Sequence, residues 1–118
     1  MIIQVNTDNH IEGDGRLEQN VEAAVATSLD RFEDRITRVE VHLSDSNSQK
    51  GGVDKRCTME ARLEGLRPLA VTHDAETVEQ AIQGAADQLE KAVGNFLGRL
   101  KDSKGPGRSA DTDAEMPS

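Results

Sequence analysis

The stretch DAETVEQAIQGAADQLEKAVGNFLGRLK, residues 74–101, carries the longest helical periodicity in the chain. Its apolar residues recur at steps of three or four, which places them along one stripe of an α-helix. The stripe consists of Val78, Ala81, Ile82, Ala85, Leu89, Ala92, Val93, Phe96 and Leu100. Thr72, Asp74 and Thr77 are candidates for the residue that caps its start. The pattern predicts a long amphipathic helix that buries one face against the rest of the protein.

Shorter periodic segments precede this helix. Residues 36–44 alternate apolar Val39, Val41 and Leu43 with polar side chains, a period of two that is typical of a strand with one buried face. The other predicted elements are strands at 2–5, 55–64 and 69–73, a helix from about 15 to 32, and a polar hairpin loop at 45–52. The order is therefore β-α-β-β-β-α.

This order favours an α+β fold, a two-layer sandwich with both helices on one face of a four-stranded sheet. The first two strands should be parallel and the later ones antiparallel. The predicted core is Val39, Val41, Leu43, Met59, Leu63, Val78, Ile82, Leu89, Val93 and Phe96. The opposite face should be wet and carry Arg38, Glu40, His42, Arg56, Thr58, Glu60 and Arg62. Cross-strand ion pairs are expected there between Arg38 and Glu60 and between Glu40 and Arg62.

Length and charge restrict the function classes. With 118 residues the chain is long enough for one domain, predicted at 1–101, and residues 102–118 are small and polar enough to predict a disordered tail. The formal net charge is −8; the tail's four acids and two bases sum to −2, which leaves −6 on the domain. This balance disfavours nonspecific nucleic-acid binding, which needs a basic surface, but it allows a local basic patch.

No pattern in the sequence predicts catalysis. His10, His42 and His73 lack a metal-binding spacing, no nucleophile motif or phosphate loop is visible, and Cys57 alternates with core residues as a buried structural thiol does. We therefore expect a protein that is not an enzyme and needs no cofactor or metal. A single cysteine, the lack of a signal-like start and the lack of a membrane-length apolar run predict a cytoplasmic protein.

Several short motifs occur in the same order as in a known protein family. They are Gln4-Val5 followed by His10-Ile11-Glu12, the junction Phe32-Glu33-Asp34-Arg35-Ile36, the strand Val39-Glu40-Val41-His42-Leu43, and the helix from Thr77 to Lys91. Over about residues 2–101 this pattern resembles the ribosome hibernation-promoting factor / RaiA family, also called the sigma-54 modulation protein family. The specificity lies in the order and spacing of the motifs.

The resemblance implies a fold similar to double-stranded-RNA-binding domains and a role outside catalysis. Members of this family bind the small ribosomal subunit near the decoding region and inhibit translation in stressed or stationary-phase cells. The expected partner is therefore the small subunit and its ribosomal RNA, with no membrane involved. The candidate RNA-binding residues are Lys91, Arg99 and Lys101 on the last helix and Arg38, Arg56 and Arg62 on the sheet.

A second hypothesis follows from the acidic charge. Ala24 and Thr27 on the first helix, and Gln88, Gly94 and Asn95 on the last, stand where members of the family commonly carry basic residues. A diverged protein-interaction module on the same fold, using acidic helices against a basic partner, is the alternative. If the family role persists, ribosome association should be weak and sensitive to salt.

Overall fold

The computed structural model describes residues 1–8, 11, 14–45 and 54–104, the last four through their backbone alone. The elements are β1 (Ile2–Thr7), α1 (Gly15–Ser28), a 3₁₀ turn (Asp30–Phe32), β2 (Ile36–Asp45), β3 (Lys55–Leu63), β4 (Leu69–Ala75) and α2 (Val78–Lys104). The predicted β-α-β-β-β-α order is confirmed.

The four strands form one sheet in the order β1-β2-β3-β4. β1 runs parallel to β2, whereas the β2–β3 and β3–β4 pairs are antiparallel, as predicted. Val41 stands opposite Val5 on one side and Met59 on the other, so one row of inward side chains crosses the central strands. Both helices pack on this inward face, and the other face of the sheet remains open.

The core lies between the inward face of the sheet and the helices. Val39, Val41 and Met59 are fully buried beneath Val25 of α1 and Leu89 of α2. Eight of the ten predicted core residues are buried, namely Val39, Val41, Leu43, Met59, Leu63, Ile82, Leu89 and Val93. The prediction was wrong for Val78 and Phe96, which are only partly buried.

Phe96 lies outside the core because α2 is longer than the sheet beneath it. A nine-residue strand such as β3 spans about 30 Å, whereas the 27 residues of α2 span about 40 Å. The last turns of the helix therefore extend past the ends of the strands. Conversely, Ile11 joins the core at 8% exposure although it falls in a segment that reads as a polar loop.

Side-chain caps define where the helices begin. Asp14 Oδ1 accepts a hydrogen bond from the Leu17 amide at 2.9 Å and caps α1. Thr77 Oγ1 accepts one from the Gln80 amide at 3.1 Å, so Thr77 is the cap of α2 among the three candidates. These bonds satisfy donors that the first helical turn leaves without a partner.

Two element ends differ from the prediction. The regular part of α1 ends at Ser28, and residues 30–32 form a tighter 3₁₀ turn that buries Phe32. α2 continues to Lys104, past the predicted end at Lys101. The predicted disordered tail from residue 105 onward and most of the predicted hairpin loop, residues 46–53, lie outside the described residues.

Two nearly buried carboxylates flank that loop. Lys55 Nζ lies 2.9 Å from Asp54 Oδ1 and 3.4 Å from Asp45 Oδ2. The hydrogen bond to Asp54, followed by that to Asp45, raises the pKa of Lys55. One ammonium group thus ties together the end of β2 and the start of β3.

Cys57 is fully buried on the inward face of β3. Burial raises the pKa of its thiol to about 12, because the thiolate would be cut off from water. The interpretation of Cys57 as a structural thiol is confirmed. Within the described ranges, no three His, Cys, Asp or Glu side chains come close enough to hold a metal ion, and no helix is long and apolar enough to cross a membrane.

Candidate functional site

The three candidate arginines on the open face of the sheet are already paired with acids. Arg56 makes a bidentate contact with Asp74, with Nε 2.8 Å from Oδ1 and Nη2 3.3 Å from Oδ2. This pairing lowers the pKa of Asp74 below its ordinary value of 3.8. The arrangement leaves little unbalanced positive charge at this corner of the sheet.

Arg38 and Arg62 are matched in the same way. Arg38 Nε lies 3.1 Å from Glu40 Oε2, and the same guanidinium donates to Gln4 Oε1. Arg62 Nη2 lies 3.3 Å from Glu60 Oε1. The open face is therefore charge-balanced, and a polyanion would have to compete with carboxylates for each of its arginines.

Arg38 and Arg62 each pair with an acid of their own strand. The cross-strand pairs predicted from the sequence, Arg38 with Glu60 and Glu40 with Arg62, were therefore wrong. The β2–β3 register places Arg38 opposite Arg62 and Glu40 opposite Glu60, each beside a group of its own sign. Like charges that stand directly opposite each other repel. The acid two residues away on the same strand lies on the same face of the sheet, so each arginine forms its ion pair with that acid. The register, including an irregularity between Ile36 and Arg38, was not available from the alternation of residues alone.

The helix candidates differ from the sheet candidates. Lys91 and Arg99 are exposed, and in the part of the chain whose side chains are described neither forms an ion pair. Lys101 lies on α2, but its side chain is outside that part. Lys91 and Arg99 thus retain charges that are available to a partner.

Lys91 lines an open groove at one end of the sheet, with a volume of about 1070 Å³. Three chain segments meet there: the turn after α1, the β3–β4 turn and the C-terminal half of α2. They meet because α1, β3 and α2 all run toward this end of the sheet. The topology thus brings together residues that are far apart in sequence.

The walls of the groove combine positive charge with apolar surface. Three bases, Arg31, Arg35 and Lys91, face a single acid, Glu64. The apolar lining is formed by Phe32, Leu66, Leu97 and Leu100. Near the groove, the Arg67 guanidinium carbon lies 5.7 Å from the centre of the Phe96 ring. We refer to this site, defined by its lining residues, as the basic groove.

Arg31 is held in a defined orientation inside the basic groove. Its guanidinium carbon lies 4.3 Å from the centre of the Phe32 ring, within the range of a cation–π contact. Its Nη2 atom is 3.5 Å from Glu90 Oε2 on α2. A Cβ atom at Gly94 would lie only 3.2 Å from that same nitrogen, so the glycine leaves room for the guanidinium.

Sequence reasoning missed Arg31, Arg35 and Arg67. Arg35 follows the first predicted helix and Arg67 lies between the predicted strands at 55–64 and 69–73, and neither position has a periodic pattern. The signal that could have found them is the predicted order of the elements. This order already places the end of the first helix, the last β-turn and the end of the final helix at the same end of the sheet.

The N-terminal parts of the helices carry the opposite charge. Asp14, Glu18 and Glu22 of α1 and Glu79 of α2 are exposed, and none has a basic partner among the described residues. Arg16, in the first turn of α1, is the one exposed base in this acidic helix region, within the described stretch from Asp14 to Ser28. Exposed Arg35, Lys91 and Arg99 lie in other segments, the turn after α1 and the C-terminal half of α2, where exposed Asp30, Glu33 and Asp34 also lie.

Comparison with known proteins gives a family match over most of the chain and similar solved structures. Residues 3–101 match the family described as sigma 54 modulation protein / S30EA ribosomal protein. The structure is similar to the Protein Y N-terminal domain of Thermus thermophilus, with a TM-score of 0.66, 27% sequence identity, and coverage of 81% of this chain and 99% of that one. It also shares the fold of a ribosomal subunit interface protein from Coxiella burnetii, with a TM-score of 0.67, 14% identity, and coverage of 83% and 99%. No curated protein matches the chain in sequence.

Proposed function

Because this chain belongs to the sigma-54 modulation protein / S30EA ribosomal protein family, we propose that it is a cytoplasmic factor that binds the small ribosomal subunit and inhibits translation during stress or stationary phase. It acts by occupying an RNA surface of the subunit and performs no catalysis. The observation that carries the proposal is the family match over residues 3–101, joined to a cluster of available bases at the basic groove.

Electrostatics determines which surface meets the RNA. A chain with a net charge of −8 is repelled by a polyanion at long range, so attraction must come from a local cluster. At physiological salt this attraction reaches about 8 Å. The arginines of the open face are held by carboxylates, whereas Arg35, Lys91 and Arg99 are not, so the end of the molecule that holds the basic groove faces the RNA.

The number of contacts limits the affinity. If Arg35, Lys91 and Arg99 each neutralise one phosphate, the logarithm of the affinity should fall with the logarithm of the salt concentration with a slope of about −2 to −3. Such binding is weak and is lost at moderate salt. This behaviour distinguishes the protein from a strongly basic RNA-binding domain.

The test is co-sedimentation of the purified protein with small ribosomal subunits at low and at moderate salt. Lys91→Glu should weaken sedimentation several-fold, because it replaces an available positive charge with a negative one in the basic groove. Arg16→Glu is the matched control: it makes the same change of charge on an exposed, unpaired base at the opposite end of the molecule, and it should sediment as the wild type does.

The outcomes test two statements independently: that the small subunit is the partner, and that the basic groove is the contact. If the wild type fails to sediment at low salt, association with the small subunit is refuted. If the wild type and Lys91→Glu sediment equally, the subunit is the partner but the basic groove is not the contact.

A second candidate function is supported by the acidic helix region. The exposed carboxylates of Asp14, Glu18 and Glu22 offer a surface for a Lys- or Arg-rich protein segment. A protein-interaction module of this kind would bind such a peptide through α1, with the amide resonances of residues 15–22 shifting in a nuclear magnetic resonance titration. Shifts confined to the basic groove on addition of RNA would exclude it as the main activity.

A further inference from the structure

We propose that the basic groove binds one unpaired nucleotide of RNA, with its base stacked on the Arg31 guanidinium and its phosphate bound by Arg35 and Lys91. The inference rests on the proposed function, and it adds the chemical form of the ligand and the role of each side chain. It distinguishes a shaped nucleotide site from a patch that only attracts phosphates.

The first argument is that Arg31 presents a flat surface of fixed orientation. Its guanidinium carbon lies over the Phe32 ring, 4.3 Å from the ring centre, and its Nη2 atom is 3.5 Å from Glu90 Oε2. The side chain is nevertheless 64% exposed, so much of it remains accessible to a ligand. Guanidinium planes are surfaces on which proteins stack bases that have left an RNA helix. A base seated here would extend the stack that Phe32 begins.

Gly94 supports this arrangement from the α2 side. A Cβ atom at that position would be 3.2 Å from Arg31 Nη2 and 3.4 Å from Cζ of Phe32. Glycine in a helix interior is unfavourable by about 1 kcal/mol relative to alanine. Here the missing side chain leaves room for the Nη2 atom of the guanidinium beside the helix.

The second argument concerns the two bases available for phosphate. Arg35 and Lys91 line the same groove, and neither has an acid partner within the described residues. The Arg35 backbone is fixed on both sides: its N–H donates to the Phe32 carbonyl at 2.8 Å, and its carbonyl accepts from the Glu64 N–H at 3.3 Å. A planar fork and a compact ammonium that line one groove are suited to the oxygens of one phosphate.

The third argument is that the groove is more than a charged surface. Leu66, Leu97 and Leu100 line it beside the bases and offer apolar contact to a nucleobase. Glu64 would repel a phosphate, but it can accept hydrogen bonds from the N–H groups of a base. A base inside a duplex cannot reach these groups, so the ligand is an unpaired nucleotide. An acidic peptide could use the leucines, but it would leave the Arg31 guanidinium without a stacking partner.

The test measures fluorescence anisotropy with a labelled single-stranded RNA octamer. The comparison ligand is an abasic octamer of the same length and charge. Wild-type protein should bind the strand with bases several-fold more tightly than the abasic strand. Arg31→Lys keeps the charge but removes the plane, so it should abolish this preference while leaving the salt dependence unchanged. Arg16→Lys makes the same exchange at the opposite end of the molecule and should retain the preference.

Three outcomes overturn the proposal. Equal binding of the two strands by the wild type would mean that the groove binds phosphates and does not contact a base. An unchanged preference in Arg31→Lys, with the variant folded by its melting curve, would place the base elsewhere. Tighter binding of an Asp- and Leu-rich octapeptide than of the RNA would assign the groove to a protein.

The result is separable from the proposed function. If small subunits sediment with the protein but the octamer shows no base preference, the nucleotide site is wrong and ribosome binding stands. If the base preference is present but no subunit sediments, the nucleotide site stands and the ribosomal role is wrong.

Discussion

Replacing Gly84 with alanine should destabilise the protein, although the same change at Gly98 of the same helix should stabilise it. The His73 ring of β4 lies directly over Gly84, and a Cβ atom there would overlap the Cδ2, Nε2 and Cγ atoms of that ring. His73 also shares a hydrogen bond of 3.1 Å between its Nδ1 and Gln88 Nε2. The glycine is therefore part of the contact between the last strand and the last helix.

The magnitude follows from opposing contributions. Alanine in a helix interior is favoured over glycine by about 1 kcal/mol. Forcing a methyl group into an occupied site costs about 1–3 kcal/mol, and moving the His73 ring sacrifices a hydrogen bond of about 0.5–1.5 kcal/mol. The sum is a net loss of about 0.5–3.5 kcal/mol. For a domain near 100 residues each kcal/mol shifts the melting temperature by about 4–8 °C, so Gly84→Ala should melt several degrees below the wild type.

The assay is thermal and urea unfolding followed by circular dichroism at 222 nm. Gly98→Ala is the matched control, because a Cβ at Gly98 meets nothing within 4 Å; it should raise stability by up to about 1 kcal/mol. In a His73→Ala background, Gly84→Ala should also become stabilising. If Gly84→Ala stabilises the otherwise wild-type protein, the close packing of His73 on the helix is refuted.

Three further predictions concern the core and the open face. Leu89→Ala should lower the free energy of unfolding by about 2–5 kcal/mol because the side chain is fully buried, and an unchanged urea midpoint would contradict that placement. Cys57, with a pKa of about 12, should resist a thiol reagent at pH 8 in the native protein and react once urea unfolds it; rapid native labelling would show that the site is open. Because pairing with Arg56 lowers the pKa of Asp74, the pair stabilises the fold above about pH 3.8, and this contribution is lost as the pH falls through the folded-state pKa. Arg56→Gln should therefore raise the pKa of Asp74 toward 3.8, as followed by the chemical shift of its carboxyl carbon, and an unchanged titration would mean that the ion pair is absent in solution.

The parts of the fold that depend on local periodicity were predictable. Alternation in residues 36–44 correctly separated inward Val41 from outward His42, because a strand turns each successive side chain to the opposite face. Helical spacing correctly placed Leu89 and Val93 in the core. Phe96 continued the same spacing, yet spacing carries no information on where the sheet beneath a helix ends.

The candidate site was predictable only in part, because it depends on distances between segments. Lys91 was identified from its place on the last helix, whereas Arg31 and Arg35 join it only through the packing of α1 against α2. The sheet arginines were proposed as RNA-binding residues, with Arg38 and Arg62 paired to acids across the strands. The alternation shows which face a residue occupies but leaves its neighbours across the strand undetermined. A two-residue difference in register, which keeps every side chain on its face, decides whether Arg38 stands opposite Glu60 or Arg62.

The parallel pairing of β1 also has a consequence for the order in which the chain folds. The β2–β3 and β3–β4 hairpins and the start of α2 join segments that are close in sequence, so they close small loops. Ile2, in contrast, pairs with Arg38 across the whole of α1, and this contact requires a much larger loop to close. β1 should therefore dock onto a sheet that has already formed, and its amides should exchange with solvent through openings that leave the three antiparallel strands intact. The N-terminal strand should therefore be the last strand of the sheet to form during folding and the first to detach during unfolding.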